Sequence, residues 1–251
     1  MKIVKISKKN IVFDTGPIIN FASSGILPKL TALRAHYSGD FLITNSVEKE
    51  LIDRPLATKK FRLEAFQVLK EIRQGTLKNF DDESIDRMAR ELLDIANSTF
   101  KAKGHWIRIV SFAEMSVLAS AIELGSELVV IDERTTRLLV EDIDSVASRL
   151  EHKLHTKVII DDQKKKLFSQ MTNGIKVIRS IELAVLAFDY GLFDEYLISG
   201  KELEKAGISH HKFKDPKNSI LESILWAMKL NGCSVNNQEI ARIIKLYKKK
   251  S

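Results

Sequence analysis

The sequence predicts an α/β fold in which helices cover both faces of a parallel β-sheet. Short, continuous apolar runs recur along the chain, and such runs are typical of strands that are buried on both faces. Segments of helical periodicity separate these runs, and strands that alternate with helices form parallel βαβ units. The 251 residues, 44% of them apolar, are enough to bury a sizeable core. We therefore expect a three-layer α/β/α sandwich.

The N-terminal part of the chain opens with two expected strands, residues 10–13 and 41–44. A short helix is expected to begin at Asn45 or Ser46, which are good N-cap residues, and to end at Pro55. Other helices in this part are expected at residues 18–21, 27–36, 59–74 and 82–99.

The C-terminal part is expected to complete the sheet and to add a helical extension. Ser111 begins a helix that Gly125 ends, and a strand at 128–131 follows. Residues 144–174 are more polar and are interpreted as an inserted hairpin or helix. The remaining expected elements are a helix at 135–140, a strand at 175–178, and helices at 181–190, 218–230 and 238–248.

Composition and charge restrict the class of protein. The net charge of +7 favours polyanionic partners, because Lys and Arg neutralise phosphates. The single cysteine, Cys233, excludes a disulfide within the chain and any multi-cysteine zinc module. No apolar run approaches the roughly 20 residues of a membrane span, and residues 1–9 lack the apolar core of a secretory signal. We therefore expect a cytoplasmic protein that does not span a membrane.

Four acidic residues lie at the ends of expected elements. Asp14 and Asp132 follow two strands, Glu50 comes shortly after another, and Glu114 lies in the first turn of the helix that begins at Ser111. Ligands of open α/β sheets bind at the carboxyl ends of the strands. Converging carboxylates repel one another unless a cation lies between them, and oxygen ligands favour Mg²⁺ or Mn²⁺ over zinc. The set predicts a divalent-metal site of a phosphodiesterase.

Each of these acids also has an ordinary structural interpretation. Asp14 and Asp132 suit turns after strands, since an Asp side chain bonds nearby backbone N–H groups. Glu114 completes a capping box with Ser111, although the helical spacing also places it at the head of an apolar stripe that faces the core. The two roles of Glu114 are compatible.

Three further acids compete for the same roles. Glu48 is the neighbour of Glu50 on one short helix, and the sequence does not separate the two. Glu133 competes with Asp132, and Asp161 ends another apolar run.

Four short motifs in this order resemble those of PIN-domain nucleases. The first is an apolar strand that ends in Asp, and the third is an acid followed by an apolar, alanine-containing helix. The motifs are residues 11–19 (IVFDTGPII), 44–51 (TNSVEKEL), 111–121 (SFAEMSVLASA) and 128–133 (LVVIDE). The resemblance covers residues 10–142, and residues 175–193 are similar to the last strand and helix of one PIN branch. One departure is Glu114, where the family usually has Asp.

The resemblance implies a Mg²⁺- or Mn²⁺-dependent endoribonuclease that leaves a 5′-phosphate on the product. Asp14, Glu50 and Glu114 would hold the metal, and Asp132 would complete the site or orient the attacking water. The implied organisation is a PIN-like nuclease domain over residues 1–198, with the insertion at about 144–174 and a helical extension over 199–251.

Further residues and partners follow from this interpretation. Thr15 is expected to contact metal-bound water or phosphate, or else to be an ordinary turn hydroxyl. Arg134 and Arg137 are expected to bind substrate phosphate, or else to form a solvated helix face. The expected substrate is single-stranded RNA. The C-terminal helices are expected to form a packed hairpin or a homodimer surface. The expected partner is an antitoxin if the protein is a toxin, and a ribonucleoprotein if it processes RNA.

Two other functions remain open from the sequence. A non-catalytic RNA-binding or scaffold protein would keep the fold with a damaged site, and Glu114 in place of Asp is the observation that favours it. A DNA-acting nuclease would use the same acids. Trp106 and Trp226 are expected to be packing residues rather than base-stacking platforms, and His210 and His211 to lie on the surface.

Overall fold

The fold is built around parallel strands. The computed structural model describes residues 10–199 and 215–248, together with 202, 205 and 207. Within these residues the strands are β1 (Ile11–Phe13), β2 (Phe41–Ile43), β3 (Leu77–Asn79), β4 (Phe100–Ala102), β5 (His105–Trp106), β6 (Leu128–Val130), β7 (Ile159–Ile160) and β8 (Lys176–Ile178). Five of them form one all-parallel sheet in the order β3-β2-β1-β6-β8. The other three form a small antiparallel sheet in the order β5-β4-β7.

Helices connect these strands. In the described residues they are α1 (Thr15–Ser23), α2 (Pro28–Ala35), α3 (Asn45–Glu48), α4 (Arg54–Ala57), α5 (Arg62–Arg73), α6 (Glu83–Ala96), α7 (Phe112–Glu123), α8 (Arg134–Glu141), α9 (Ile143–Leu154), α10 (Asp162–Met171), α11 (Ser180–Asp189), α12 (Pro216–Leu230) and α13 (Asn237–Lys248). A π-helical turn, Lys49–Asp53, joins α3 to α4, and a 3₁₀ turn, Asp194–Tyr196, follows α11.

The helices flank the parallel sheet, which confirms the predicted α/β/α fold class. Helix α7 lies against β1 and β6 and packs on α6, whereas α1 packs on α5 and α11. All residues of β1 and β2 are buried, as expected for strands that are covered on both faces. The strand order reverses between β1 and β6, so the crevice at this switch point lies at the carboxyl ends of those two strands.

The segment after β2 differs from the prediction in two ways. Thr44, and not Asn45 or Ser46, is the N-cap of α3, and its hydroxyl accepts a hydrogen bond from the Val47 backbone N–H at 3.3 Å. Pro55 does not end the helical segment but lies in the first turn of α4. Pro55 comes just after the π-helical turn Lys49–Asp53, so the helical segment continues through it.

Three of the strands are absent from the sequence-based prediction. In β3 only Leu77 is buried, because β3 is an edge strand, and one buried residue leaves no apolar run. Strands β4 and β5 have only three and two residues. Trp106 on β5 is 48% exposed, so only about half of its surface packs against the protein. The amines of Lys101 and Lys164 lie 5.4 and 5.0 Å from the centre of its ring system.

The polar segment at 144–174 contains α9, β7 and α10. It is therefore mainly helical, and β7 pairs antiparallel with β4, which joins the segment to the rest of the fold. Its helices are amphipathic, with Val146 and Phe168 among the buried residues.

The C-terminal helices α12 and α13 form a packed hairpin, which is one of the two arrangements expected from the sequence. Helix α12 also packs on α11, and its residues Leu221 and Leu225 are buried. His210 and His211 lie outside the described ranges. So do most of the residues that follow the expected domain boundary at 198–199. No helix within the described ranges is both long and apolar enough to cross a membrane.

Candidate active site

Asp14 and Asp132 lie beside each other at the switch point of the sheet. Strands β1 and β6 are neighbours, and the Asp14 backbone N–H donates to the Val130 carbonyl at 3.0 Å. Both side chains border Gly16, where an added Cβ would lie 3.6 Å from Asp132 Cβ and 3.7 Å from Asp14 Oδ2. The two carboxylates therefore share one small region, and both residues are buried, with 6% and 4% exposure.

The charges of the other three predicted acids all act on Asp14. Its pKa is raised from 3.8 to about 7, and burial is the largest cause. The charges of Glu114, Glu50 and Asp132 raise the pKa further, whereas the Thr15 backbone N–H lowers it. The region therefore carries more negative charge than its own hydrogen bonds neutralise.

Glu50 reaches this region from the π-helical turn after α3. Its Oε2 accepts a hydrogen bond from the Thr15 hydroxyl at 2.9 Å, and its Oε1 pairs with the Arg54 guanidinium at 2.8 Å. Glu48 instead accepts a hydrogen bond from the Asn79 side chain at the edge of the sheet. The structure thus brings Glu50 toward Asp14 and directs Glu48 elsewhere.

Glu114 has the capping role and also lies in the acidic region. The Ser111 backbone N–H donates to its Oε2 at 2.6 Å, and the Glu114 N–H donates to the Ser111 hydroxyl at 3.3 Å, which is the complete capping box. Its Oε1 accepts a hydrogen bond from Thr136 at 2.6 Å. Glu114 is only partly buried, so it does not point into the core as its helical spacing predicts. Helix α7 is buried around most of its circumference, so the apolar stripe of its sequence does not identify the direction of Glu114.

Asp132 is held by a buried polar network. Its Oδ1 accepts a hydrogen bond from the Ser180 backbone N–H at 2.7 Å, at the first turn of α11, where the helix dipole favours an anion. Its Oδ2 accepts from the Asn20 side chain at 3.2 Å. The same Asn20 amide nitrogen lies 3.0 Å from the Ser180 hydroxyl and 3.0 Å from the Met228 carbonyl. Asn20 thereby links α1, Asp132, α11 and the C-terminal hairpin.

The other competing acids have capping roles. Glu133 accepts a hydrogen bond from the Thr136 backbone N–H at 2.8 Å and caps α8. Asp161 accepts from the backbone N–H groups of Gln163 and Lys164 and caps α10. Neither acid contributes to the shifted pKa of Asp14.

The predicted substrate-binding residues lie next to the acids. Thr15 follows Asp14 and donates to Glu50, as described above. Arg134 is exposed in the first turn of α8, and Arg137 is partly buried one turn later. Both line a cavity of about 290 Å³ between α8 and the turn from α12 to α13.

The chemistry of the donors suits a hard divalent cation. The four predicted acids offer carboxylate oxygens, which Mg²⁺ or Mn²⁺ prefers, and the Cys233 thiol lies beside Asp132. Across the described ranges, no three Asp, Glu, His or Cys side chains form a ready-made metal cluster. Hydrogen bonds to Arg54 and Ser111 hold Glu50 and Glu114 in their present positions.

Sequence reasoning missed the residues that support the acids. Asn20, Ser180 and Thr136 are buried and bind Asp132 or Glu114 through hydrogen bonds. Asn20 carried a usable signal, because it interrupts the apolar run of residues 17–22, and a buried amide needs partners. Ser180 and Thr136 carried none, since a serine or threonine near a helix start is common.

Comparisons with known proteins add no relative to this picture. No model of a known protein family matches the chain, and a search of curated proteins finds no match either. The similarity to PIN-domain nucleases therefore depends on the four sequence motifs and enters the proposals below on that basis.

Proposed function

We propose that this protein is a metal-dependent endoribonuclease that hydrolyses phosphodiester bonds of single-stranded RNA. The observation that carries the proposal is that Asp14 and Asp132 lie side by side at the carboxyl ends of two adjacent parallel strands. The pKa of Asp14, raised to about 7 by burial and by the charges of the other three acids, supports it. Asp14 and Asp132 lie where the strand order reverses, which is where ligands of such sheets bind, and the charges of Glu50 and Glu114 act on Asp14. The PIN-like motifs support the same chemistry and the choice of RNA.

The energetic cost of the acidic region favours a function over a structural role. Two like charges about 4–8 Å apart repel by about 2–4 kcal/mol at an effective dielectric constant of about 20. A fold gains nothing from this repulsion, and capping or turn roles for single acids do not need the other three. Perturbed carboxylates in a crevice are typical of functional sites.

Each acid has a role in the proposed reaction that follows from its surroundings. Asp14 and Asp132, on adjacent strands, would hold the cation together with Glu50 and Glu114. A bound divalent cation supplies positive charge that neutralises the scissile phosphate and makes water a better nucleophile at neutral pH. Asp132, fixed by Ser180 and Asn20, is the acid with the most rigid orientation, which suits positioning. Thr15 keeps the Glu50 carboxylate turned toward Asp14.

The direct test is cleavage of a labelled single-stranded RNA in the presence of Mn²⁺ or Mg²⁺. We expect cleavage by the wild type, loss of at least a hundredfold in rate for Asp14→Asn and Asp132→Asn, and inhibition by EDTA. Asp161→Asn is the matched control, because Asp161 is an acid that ends a short strand and caps a helix outside the acidic region. It should cleave like the wild type.

Two results would contradict the proposal. Equal cleavage by the wild type and Asp14→Asn would indicate a contaminating nuclease, and absence of cleavage by a folded wild type with either metal would remove the enzymatic function. A single-stranded DNA of the same sequence in a parallel reaction distinguishes an RNA-specific enzyme from a DNA-acting one.

One observation favours a second function, an RNA-binding protein without catalysis. Both carboxylate oxygens of Glu114 accept hydrogen bonds from the protein, from Ser111 and Thr136. If these bonds persist in solution, Glu114 is a helix cap only, and three acids remain. In that case RNA binding should be retained without cleavage, and Glu114→Asp should not create activity. Under the first proposal, Glu114→Asp keeps measurable cleavage.

Within the nuclease proposal we favour RNA processing or decay over a toxin role. Toxins of the family that the motifs resemble are compact, whereas this chain adds α9, α10 and the hairpin of α12 and α13. An antitoxin gene directly upstream would decide for the toxin role. Co-purification with a ribonucleoprotein would decide for processing.

A further inference from the structure

A basic cavity lies beside the acidic region. The cavity of about 290 Å³ is bounded on one side by Arg134 and Arg137 of α8. On the other side it is bounded by Lys229 at the end of α12, and by Cys233 and Asn236 of the turn that leads to α13. The C-terminal hairpin therefore supplies half of its wall.

The charge of this cavity is strongly positive. It is lined by three cationic side chains, Arg134, Arg137 and Lys229, and by one carboxylate, Glu239. That carboxylate is already paired, since the buried Arg179 guanidinium donates to Glu239 Oε1 at 3.0 Å. With three cations and one carboxylate, the wall keeps a net positive charge, which favours an anionic ligand.

Arg137 supplies part of the positive charge of the cavity. Its Nε is buried and makes no hydrogen bond within the described part of the chain. The nearest carboxylate oxygen paired with it, from Glu141, is 4.0 Å away and outside hydrogen-bond distance. A buried donor without an acceptor is costly, and Arg guanidinium groups match the oxygen atoms of phosphate.

The cavity and the acidic region are connected through single residues. Asn20 bonds both Asp132 and the Met228 carbonyl, and Lys229 is the next residue along the chain. Cys233, which lines the cavity, lies beside Asp132. A chain whose scissile phosphate lies at Asp132 would therefore place an adjacent part of its backbone near the cavity.

We propose that this cavity binds a backbone phosphate of the RNA next to the scissile bond, held by Arg137 and Lys229 with Arg134 at its mouth. The inference rests on the proposed function, because it takes RNA as the substrate. It makes the C-terminal hairpin a part of the substrate site and gives Lys229 a binding role. The hairpin then acts in substrate recognition as well as in stability.

The test measures binding of a fluorescent single-stranded RNA with a 5′-hydroxyl end, in EDTA so that no metal-dependent cleavage occurs. We expect Lys229→Gln and Arg137→Gln each to weaken binding about three- to tenfold at moderate salt. The slope of log affinity against log salt concentration should fall by about 0.7 for each lost phosphate contact. Lys245→Gln is the matched control, because Lys245 is an exposed cation of the same hairpin outside the cavity.

Three results would overturn the proposal. They are an equal effect of Lys229→Gln and Lys245→Gln, an effect that is present only with 5′-phosphorylated RNA, and no RNA binding by the wild type. Thermal unfolding of each variant verifies that it is folded, and Lys229→Gln decides the test if Arg137→Gln unfolds. Different results would contradict the nuclease proposal and the phosphate-site proposal. RNA binding that depends on Lys229 without any cleavage removes the nuclease alone, whereas cleavage with unchanged binding by both variants removes the phosphate site alone.

Discussion

Asp14 is the residue whose chemistry is most altered by the fold. In the folded protein its pKa is about 7 against an ordinary value of 3.8, so between these pH values the folded state binds a proton that the unfolded state has released. Stability from this group is therefore complete below about pH 4 and is lost as pH rises through about 7. The shift corresponds to at most about 4 kcal/mol.

This shift gives a prediction for Asp14→Asn. In EDTA the free energy of unfolding of the variant, relative to the wild type, should increase by up to about 4 kcal/mol from pH 4 to pH 8, because the variant has no charge to bury. Urea unfolding at several pH values measures the difference. Asp94→Asn, at an exposed acid on α6, is the control. Parallel pH profiles for the wild type and Asp14→Asn would contradict the shifted pKa.

Asn20 makes a second prediction at the scale of single residues. Asn20→Ala removes the donor shared by Asp132, Ser180 and the Met228 carbonyl, and leaves a buried carboxylate with fewer partners. The expected loss of stability is about 1–3 kcal/mol. Urea unfolding measures it, with Asn173→Ala at an exposed position as the control. A loss no larger than that of the control would mean that Asn20 does not organise the site.

The positions of the site acids could be predicted from the sequence, but their supports could not. Asp14 and Asp132 follow apolar strands, and the ends of neighbouring parallel strands meet at one edge of a sheet. Glu50 and Glu48 could not be separated, because the π-helical turn that carries Glu50 toward Asp14 leaves no sequence pattern. The partners Asn20 and Ser180 come from segments 160 positions apart, a distance that only the folded chain brings together.

At the scale of elements, the predicted helices were confirmed best where local chemistry defines their ends. Helix α7 begins after the Ser111 cap and is followed by Gly125 with a φ of 58°, as the sequence indicated. The short strands β3, β4 and β5 were missed because two or three residues are too few to give a periodicity. Their pairing is a tertiary effect.

Arg179 is the main ionic link between the C-terminal hairpin and the parallel sheet. Its guanidinium binds Glu182, Glu239 and the Ser234 carbonyl, and its side chain is only 9% exposed. Burial alone would lower the pKa of Arg179, but the hydrogen bonds and charges of Glu182 and Glu239 raise it above its ordinary value. The interaction thus stabilises the charged form in a largely dry setting.

We expect Arg179→Met to release α13 from the rest of the fold. Its loss leaves Glu239 without its cation and should cost about 2–4 kcal/mol, with faster hydrogen exchange of the α13 amides. Lys165→Met is the control, since Lys165 pairs with Asp144 at the surface, where such pairs contribute less than about 1 kcal/mol. Unchanged exchange in α13 would show that apolar packing alone docks the hairpin.

At the scale of the whole molecule, the sheet and the C-terminal hairpin meet at Asp132. The sheet sets the carboxylate at a strand end, α11 presents a helix N-terminus to it, and the hairpin reaches it through Met228 and Asn20. The order of the parallel strands could be expected only in part from the sequence, because β3 was missed. The placement of the hairpin could not be expected, since it depends on buried polar contacts between distant segments.

Metal binding and folding should therefore be coupled across the molecule. If Mn²⁺ binds the folded acidic region and not the unfolded chain, a concentration of 100 times the dissociation constant stabilises the fold by about 2.7 kcal/mol. The Asp14 proton competes with the metal, so stabilisation should be larger at pH 8 than at pH 5.5. Thermal unfolding with and without Mn²⁺ measures this. Asp14→Asn should lose most of the effect and its pH dependence, whereas Asp161→Asn should keep both. Equal stabilisation of the wild type and Asp14→Asn would place the metal elsewhere and would separate the raised pKa of Asp14 from metal binding.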